Sequence, residues 1–357
     1  MVCTVLLFTH AKHTKKLGNR TYISEVMIMS NIKTSVEELI GNTPILELVN
    51  YEKKYDLKAR ILLKVESVNI LGSLKDRIAV AMIDAYEKET DIKPGDTIVE
   101  SSSGNTAIAM AAIARKRGYR FINIAADQTE ERTALLKAYG AEILFLSEHP
   151  DIAAGFGLLN ENYKFHDFLR DYFAKQSEKD GRKYYINPQW TNKANRQVQH
   201  DVTGQEIIRD TDGKVDVFIG GIGSGGSLRG IGDALREANP NLEIVAFDST
   251  PEEPDSIIGV HNIAHTPDFM LPDHISEAER PYDRAIVVKK EEAYKASNEV
   301  AKTEGIFFGV STGAAVHIAT QLAKQPEYEG KTIVAIAYDD VLKYLSTELI
   351  NPIYQED

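Results

Sequence analysis

The chain has 357 residues, long enough for two domains each with its own core. A net charge of −12 argues against nucleic acid or an anionic membrane as a partner, because either calls for a basic surface. The single cysteine, Cys3, rules out an intramolecular disulfide and any cysteine-based metal site, and no run reaches the roughly 18 apolar residues of a membrane helix.

In chain order, residues 2–9 are apolar, but Lys12, Lys15, Lys16 and Arg20 follow them, the reverse of a secretion signal. Residues 1–33 therefore read as a disordered lead or upstream extension, a transit peptide being the lesser alternative, and the expected location is cytoplasmic. Residues 35–39 suit a short helix capped by Ser35, and Gly41-Asn42-Thr43-Pro44 stops it. Strands are predicted over 44–49 and 60–65. A helix is predicted over 76–89, where Ile78, Met82, Ile83 and Tyr86 fall near helical spacing, with Ser73 or Asp76 as its cap. A strand at 97–100, a helix at 107–116 closed by Gly118, a strand at 121–125, a helix at 129–139 ended by Gly140 and a strand at 142–146 follow. Residues 148–180 read as polar and mostly helical, 183–186 as a strand, 187–195 as a loop and 201–209 as a helix. The alternation resumes with strands at 215–219 and 244–248, helices at 227–238, 290–304 and 312–324, and a last strand at 332–337. Such alternation predicts an α/β chain with mostly parallel sheets, whose ligands bind at the carboxyl ends of strands.

Four segments carry the chemistry. Lys75 opens a predicted helix after Asn69-Ile70-Leu71-Gly72-Ser73-Leu74, where the positive end of the helix dipole disfavours an ammonium and favours a nucleophilic amine. Taken alone, a lysine so placed reads as an ordinary solvated one, and what changes that is the set of loops that follows it. Gly220-Gly221-Ile222-Gly223-Ser224-Gly225-Gly226-Ser227 joins a strand to a helix; its glycines let a phosphate approach backbone N–H groups, and its serines add hydroxyl donors. The same loop holds G-x-G-x-x-G at Gly221, Gly223 and Gly226, so a nucleotide-dependent dehydrogenase with Asp248 on a ribose hydroxyl is the competing reading. Ser101-Ser102-Ser103-Gly104-Asn105-Thr106 offers four hydroxyls and an amide, donors that suit a carboxylate; a plain helix cap by Ser103 or Asn105 is the alternative. Gly309-Val310-Ser311-Thr312-Gly313-Ala314-Ala315 is a polar turn leading into a helix.

Together, N-x-x-G-S-x-K-D-R, S-S-G-N-T, G-x-G-S-G-G-S and G-V-S-T-G-A-A resemble, in this order, the motifs of fold-type II pyridoxal-phosphate enzymes. They look most like the cysteine synthase and cystathionine β-synthase group. Ile40-Gly41-Asn42-Thr43-Pro44 matches its opening motif and Lys343-Tyr344-Leu345-Ser346-Thr347 its closing one. The resemblance implies two three-layer α/β/α domains, like the tryptophan synthase β-subunit, with pyridoxal 5'-phosphate in the cleft between them. The smaller domain would take 34–46 and 69–192 with the substrate loop, the larger 47–68 and 193–357 with the phosphate loop. Lys75 would form the Schiff base and serve as catalytic base, and Asn105 would bond the ring hydroxyl. Gly223, Ser224, Gly225, Gly226 and Ser227 would hold the phosphate, and Ser311 would face the pyridine nitrogen. Ser102, Ser103, Gly104, Asn105, Thr106 and Gln189 would bind the substrate carboxylate. A neutral serine at the ring nitrogen favours β-elimination through an aminoacrylate. The reaction implied first is β-replacement, O-acetylserine plus sulfide to cysteine and acetate. The alternatives are a cysteine-consuming, sulfide-releasing lyase, a lanthionine or cystathionine synthase, and a diaminopropionate synthase. A homodimer is implied as well. A catalytically silent binding protein is a further alternative, and retention of Lys75 speaks against it.

The chain departs from that pattern at two places. Gly259-Val260-His261 stands where the family often has Gly-Ile-Gly, and Tyr338-Asp339-Asp340-Val341-Leu342 replaces Pro-x-Ser-Gly-Glu-Arg. Both bear on leaving group and nucleophile. Asp255 or His261 is a candidate for activating water or positioning a second amino acid, a solvated loop being the plainer alternative. His261 and His265 lack a third ligand of suitable spacing, so no metal is expected.

Overall fold

The computed structural model describes residues 9–17, 20–28, 32–102, 104–126, 128–250, 257, 259–260, 262, 266, 270–275 and 280–351. Residues 1–39 and 40–357 form two compact units. In the first, β1 (Thr9–Leu17) and β2 (Arg20–Ile28) pair antiparallel, from Thr9 opposite Ile28 to Leu17 opposite Arg20. The stretch expected as a disordered lead thus contains a hairpin. Ser35 Oγ accepts the Glu37 N–H at 3.3 Å in the short 3-10 turn Val36–Leu39, the cap predicted there.

The second unit opens with β3 (Ile45–Glu47), α1 (Val49–Lys54), β4 (Arg60–Val65) and α2 (Lys75–Glu89). Next come β5 (Thr97–Ser101), α3 (Asn105–Lys116), β6 (Arg120–Ala125), α4 (Glu130–Ala138), β7 (Glu142–Phe145), α5 (Pro150–Ala153), α6 (Phe165–Asp180) and β8 (Tyr184–Ile186). The chain ends with α7 (Lys193–Val198), α8 (Gln205–Thr211), β9 (Val217–Gly221), α9 (Gly226–Ala238), β10 (Glu243–Ser249), β11 (Arg284–Val288), α10 (Lys290–Glu304), α11 (Val310–Ala323) and β12 (Thr332–Ala337). One sheet has the order β11-β10-β9-β12-β4-β3 and is parallel except for β3; the other, β7-β6-β5-β8, is wholly parallel. The result is an α/β fold with two mostly parallel sheets, as the alternation predicts.

The inner strands β4, β9, β10 and β12 of the large sheet are buried on both faces, which is why they are continuous apolar runs rather than alternating ones. Along β12, Ile333, Ala335 and Ala337 pack with α1, α10 and α11, whereas Val334 and Ile336 pack with α8 and α9. In the small sheet Val99, Ile122 and Ile124 meet Ile152, Leu169 and Phe173 of α5 and α6, and α3 lies against β5 and β6.

Several local expectations are corrected. The strand predicted over 44–49 is only three residues long, because Val49 already starts α1; Ile45 and Leu46 pair with Lys64 and Leu63 in the large sheet. The helix predicted at 201–209 begins as a π turn over Gln199–Gly204 that continues from α7 into α8. Leu74 holds the N-cap position of α2, but Ser73 Oγ accepts the Lys75 N–H at 3.1 Å and so satisfies the first N–H of that helix, while Asp76 lies inside it; the N-cap of α3 is Gly104 rather than Asn105. Ser103, Asp255, His261 and His265 lie outside the described residues.

Candidate active site

The carboxyl ends of β5, β9 and β12 feed the loops that wall one cavity of about 490 Å³, and the first turns of α2, α3, α9 and α11 open toward it. Lys75, Ser102, Asn105, Thr106, Gln189, Gly223, Ser224, Ser227 and Ser311 all line it, so segments up to 236 residues apart in sequence meet here, as read from Lys75 to Ser311. Gly104 lies behind this lining; a Cβ there would press on Arg132 Cδ at 2.5 Å.

Lys75 is placed by a chain of hydrogen bonds. Its backbone N–H donates to Ser73 Oγ at 3.1 Å, Leu71 N donates to Asp76 Oδ2 at 2.6 Å, and Leu74 N donates to the Tyr338 carbonyl at 3.0 Å. Two residues on, Arg77 forks between Glu66 (Nε to Oε2, 2.7 Å) and Glu206 (Nη2 to Oε2, 2.7 Å), and Lys64 reaches Glu206 Oε2 at 2.7 Å. Burial would raise the Glu206 carboxyl, but Arg77 and Lys64 overcome it and hold it down to about 2. Burial pushes the Lys75 amine down to about 8, against the opposing pull of Glu100 and Asp339. Desolvation thus acts in the same direction as the helix dipole expected to favour the neutral amine. Glu100, fully buried beneath the loop, is raised by burial to about 8 although the Gln189 and Ser101 N–H groups donate to it.

Beside the Ser101–Thr106 loop, Thr106 Oγ1 donates to Gln189 Oε1 at 2.8 Å and Asn195 Nδ2 donates to the Gln189 carbonyl at 2.8 Å. Gln189, the residue least firmly placed by motif, therefore sits against that loop. In the glycine-rich loop, Ser224 and Ser227 are buried, and Asn195 Nδ2 donates to Ser224 Oγ at 3.0 Å. A Cβ on Gly223 would come within 2.8 Å of the Gly259 carbonyl, one on Gly226 would overlap the Asn195 amide, and Gly225 has φ +78°. Glycine is required here because the loop is packed from behind.

Asn105 has a partner that no motif announces. Its Nδ2 donates to Asp339 Oδ2 at 2.6 Å, while its buried Oδ1 has no partner within the protein. Tyr344 Oη donates to the same Asp339 oxygen at 2.8 Å, Arg132 Nη2 lies 3.7 Å from it, and the Arg132 guanidinium stands 4.7 Å over the Tyr344 ring. Asp340, its neighbour, instead accepts the Leu342 N–H at 3.0 Å outside the cavity lining. Sequence reasoning gives no role to Arg132 or Glu100, and names Tyr344 only as part of the closing motif. Glu100 alone carries a signal, an acid closing an otherwise apolar strand before a hydroxyl-rich loop.

These residues fit pyridoxal phosphate. A buried amine of lowered proton affinity, a glycine and serine cradle at the start of a 13-residue helix, a neutral hydroxyl on Ser311 and an unpartnered amide oxygen face one space. They define a fold-type II cofactor site.

The comparisons agree. The model of the family "Pyridoxal-phosphate dependent enzyme" matches residues 36–339, and the chain belongs to that family. A cysteine synthase of Staphylococcus aureus (strain Mu50 / ATCC 700699) is 37% identical over 319 residues, 88% of this chain and 96% of that one. The crystal structure of O-ureido-L-serine synthase superposes with a TM-score of 0.74 at 31% identity, covering 91% of this chain and 98% of that one. A hydrogen sulfide-producing enzyme from Fusobacterium nucleatum also reaches 0.74, at 30% identity over 88% of this chain and all of that one. Pyridoxal phosphate is therefore the cofactor, and the dinucleotide reading of Gly221, Gly223 and Gly226 is set aside. Asp248 is buried at the end of β10, and its Oδ1 accepts the Ser249 N–H at 2.9 Å. Among the described residues no group of three or more His, Cys, Asp or Glu could hold a metal, and no helix is long and apolar enough to cross a membrane.

Proposed function

We propose that the protein catalyses β-replacement on an activated serine, with O-acetylserine as donor and sulfide as nucleophile, giving cysteine and acetate. The observation that carries this is the convergence on one cavity of Lys75, the Ser102–Thr106 loop with Gln189, and the Gly223–Ser227 cradle. When bound, pyridoxal phosphate supplies the electron sink for bond breaking at the substrate α-carbon. Lys75 would hold the cofactor through its amine, and the same nitrogen, when free, would take the substrate α-proton. Its lowered proton affinity keeps a useful fraction of free amine near neutral pH. Ser102, Ser103, Gly104, Asn105, Thr106 and Gln189 orient the substrate carboxylate. Gly223, Ser224, Gly225, Gly226 and Ser227 would hold the phosphate, Asn105 would bond the ring oxygen, and Ser311 would offer the ring nitrogen a neutral partner.

The similarity to the Fusobacterium enzyme favours a second reading on the same residues, with cysteine as donor and sulfide released. Supplying O-acetylserine or cysteine and quantifying acetate or sulfide decides between them: acetate release supports the first, sulfide release from cysteine alone the second. The reading also carries a cytoplasmic homodimer, with 34–46 and 69–192 as the substrate half and 47–68 and 193–357 as the phosphate half. Light scattering of the purified protein tests the dimer.

A further inference from the structure

Three of the four segments that carry the chemistry meet at Asp339, which itself lines the cavity. Its backbone bridges to Ser73, two residues before Lys75. Its carbonyl accepts the Gly309 N–H at 3.0 Å, at the N-cap of the helix that carries Ser311. Its side chain reaches Asn105 in the third segment. A Cβ on Gly309 would collide with Asp339 Oδ1, so the carboxylate is wedged against the start of α11 and packing sets its position.

This junction decides which way the Asn105 amide faces. A carboxylate has no proton to give, so the amide atom beside Asp339 Oδ2 is the nitrogen, and the 2.6 Å contact is a donation from Nδ2. Asn105 Oδ1 is left buried and without a partner in the protein. Tyr344 Oη donates to the same carboxylate oxygen at 2.8 Å, and burial, by pushing the phenol's proton affinity up, keeps it a donor. Asn105 and Tyr344 thus each spend an N–H or O–H on Asp339 Oδ2. The atoms left with unmet capacity, Asn105 Oδ1 and Asp339 Oδ1, are both acceptors. A buried acceptor without a donor is costly, so this wall calls for a ligand atom that brings a proton. We propose that Asp339 is a positioning residue that fixes the Asn105 amide, so that the ring oxygen of pyridoxal phosphate meets Oδ1 and keeps its proton. This rests on the reading above that puts Asn105 at the ring oxygen. With an uncharged side chain at 339 the amide is free to turn an N–H to the ring oxygen and stabilise its ionised form; the carboxylate removes that choice. With Ser311 at the ring nitrogen, both polar positions of the ring then have partners that favour the uncharged form.

The test reads the absorption of the holoenzyme at neutral pH without substrate. The protonated ring oxygen gives a near-ultraviolet band and the ionised one a visible band, because losing the proton extends the conjugation of the chromophore. The wild type shows both. Asp339→Asn, isosteric and uncharged, lowers the ratio of near-ultraviolet to visible absorption about tenfold, the effect of one net hydrogen bond. Asn105→Ala lowers it as well. Once that amide is gone, adding Asp339→Asn changes the ratio by less than about twofold, because Asp339 acts through Asn105. Asp339→Ser, smaller and also uncharged, is read in the same way where Asp339→Asn does not load cofactor. An unchanged or raised ratio in the Asp339 variants, or an equal fall with and without the Asn105 amide, overturns the proposal. Loss of cofactor from both Asp339 variants also overturns it, since Asp339 would then belong to the framework alone. An unchanged ratio in Asn105→Ala instead overturns the placing of Asn105 at the ring oxygen, and the proposal with it.

Discussion

Replacing Arg77 with leucine removes the guanidinium that holds the first turn of α2 to β4 and α8. Arg77 makes two contacts of 2.7 and 2.9 Å to Glu66 and two of 2.9 and 2.7 Å to Glu206. In the variant Glu206 keeps Lys64, but Glu66 is fully buried and retains only the neutral donors Thr43 and Asn69. Breaking one partner out of a buried ion pair costs about 3–5 kcal/mol, because the other charge is left uncompensated. The drop of Glu206 from its ordinary 4.5 to about 2 is of the same order, about 3 kcal/mol. A depressed carboxylate contributes stability that is fully present above its unfolded value near 4.5 and is lost as pH falls toward 2. Urea unfolding of the apoprotein should therefore show Arg77→Leu less stable by about 3–5 kcal/mol at pH 7, with the gap narrowing by more than about 1 kcal/mol at pH 3. Adding Glu66→Gln should return part of the loss. A gap under about 1 kcal/mol, or one equal at both pH values, would refute the reasoning.

Three further outcomes follow from the site. Reconstitution of apoprotein with pyridoxal phosphate should speed up about tenfold per pH unit below about 8 and level off above it, as Lys75 loses its proton; a flat profile contradicts this. Asp339→Asn removes an anion that stabilises the Lys75 ammonium, so the midpoint of that profile should move to lower pH, and an upward move would show the assignment to be wrong. Gly226→Ala forces a Cβ onto the Asn195 amide that holds Ser224, so cofactor affinity by equilibrium dialysis should fall at least about tenfold, with unchanged affinity as the contrary result.

What the sequence made legible was local. The buried parallel strands are continuous apolar runs, and the Ser101–Thr106 and Gly220–Ser227 loops stand directly between a strand and a helix, so these sheets and loops could be placed from pattern alone. What stayed hidden depends on distant partners. Asn105 and Asp339 are 234 residues apart and Arg77 and Glu206 are 129, and nothing in a residue's neighbours announces such a pair. Edge position hides elements too: β11 is mostly exposed, so Arg284–Val288 shows no buried pattern. The hairpin is different, since Gly18-Asn19 between two strand-length runs is a turn signal that was there to be used. In the long segment at 148–180, Phe156 and Phe165 show their stacking only once α6 is in place.

The most direct test of the central claim is the visible spectrum of the purified protein, recorded before and after O-acetylserine and again after sulfide. The account predicts a visible cofactor band that is missing in Lys75→Ala, shifts with release of acetate when O-acetylserine is added, and returns when sulfide produces cysteine. A band that ignores O-acetylserine, with no acetate released, would contradict it.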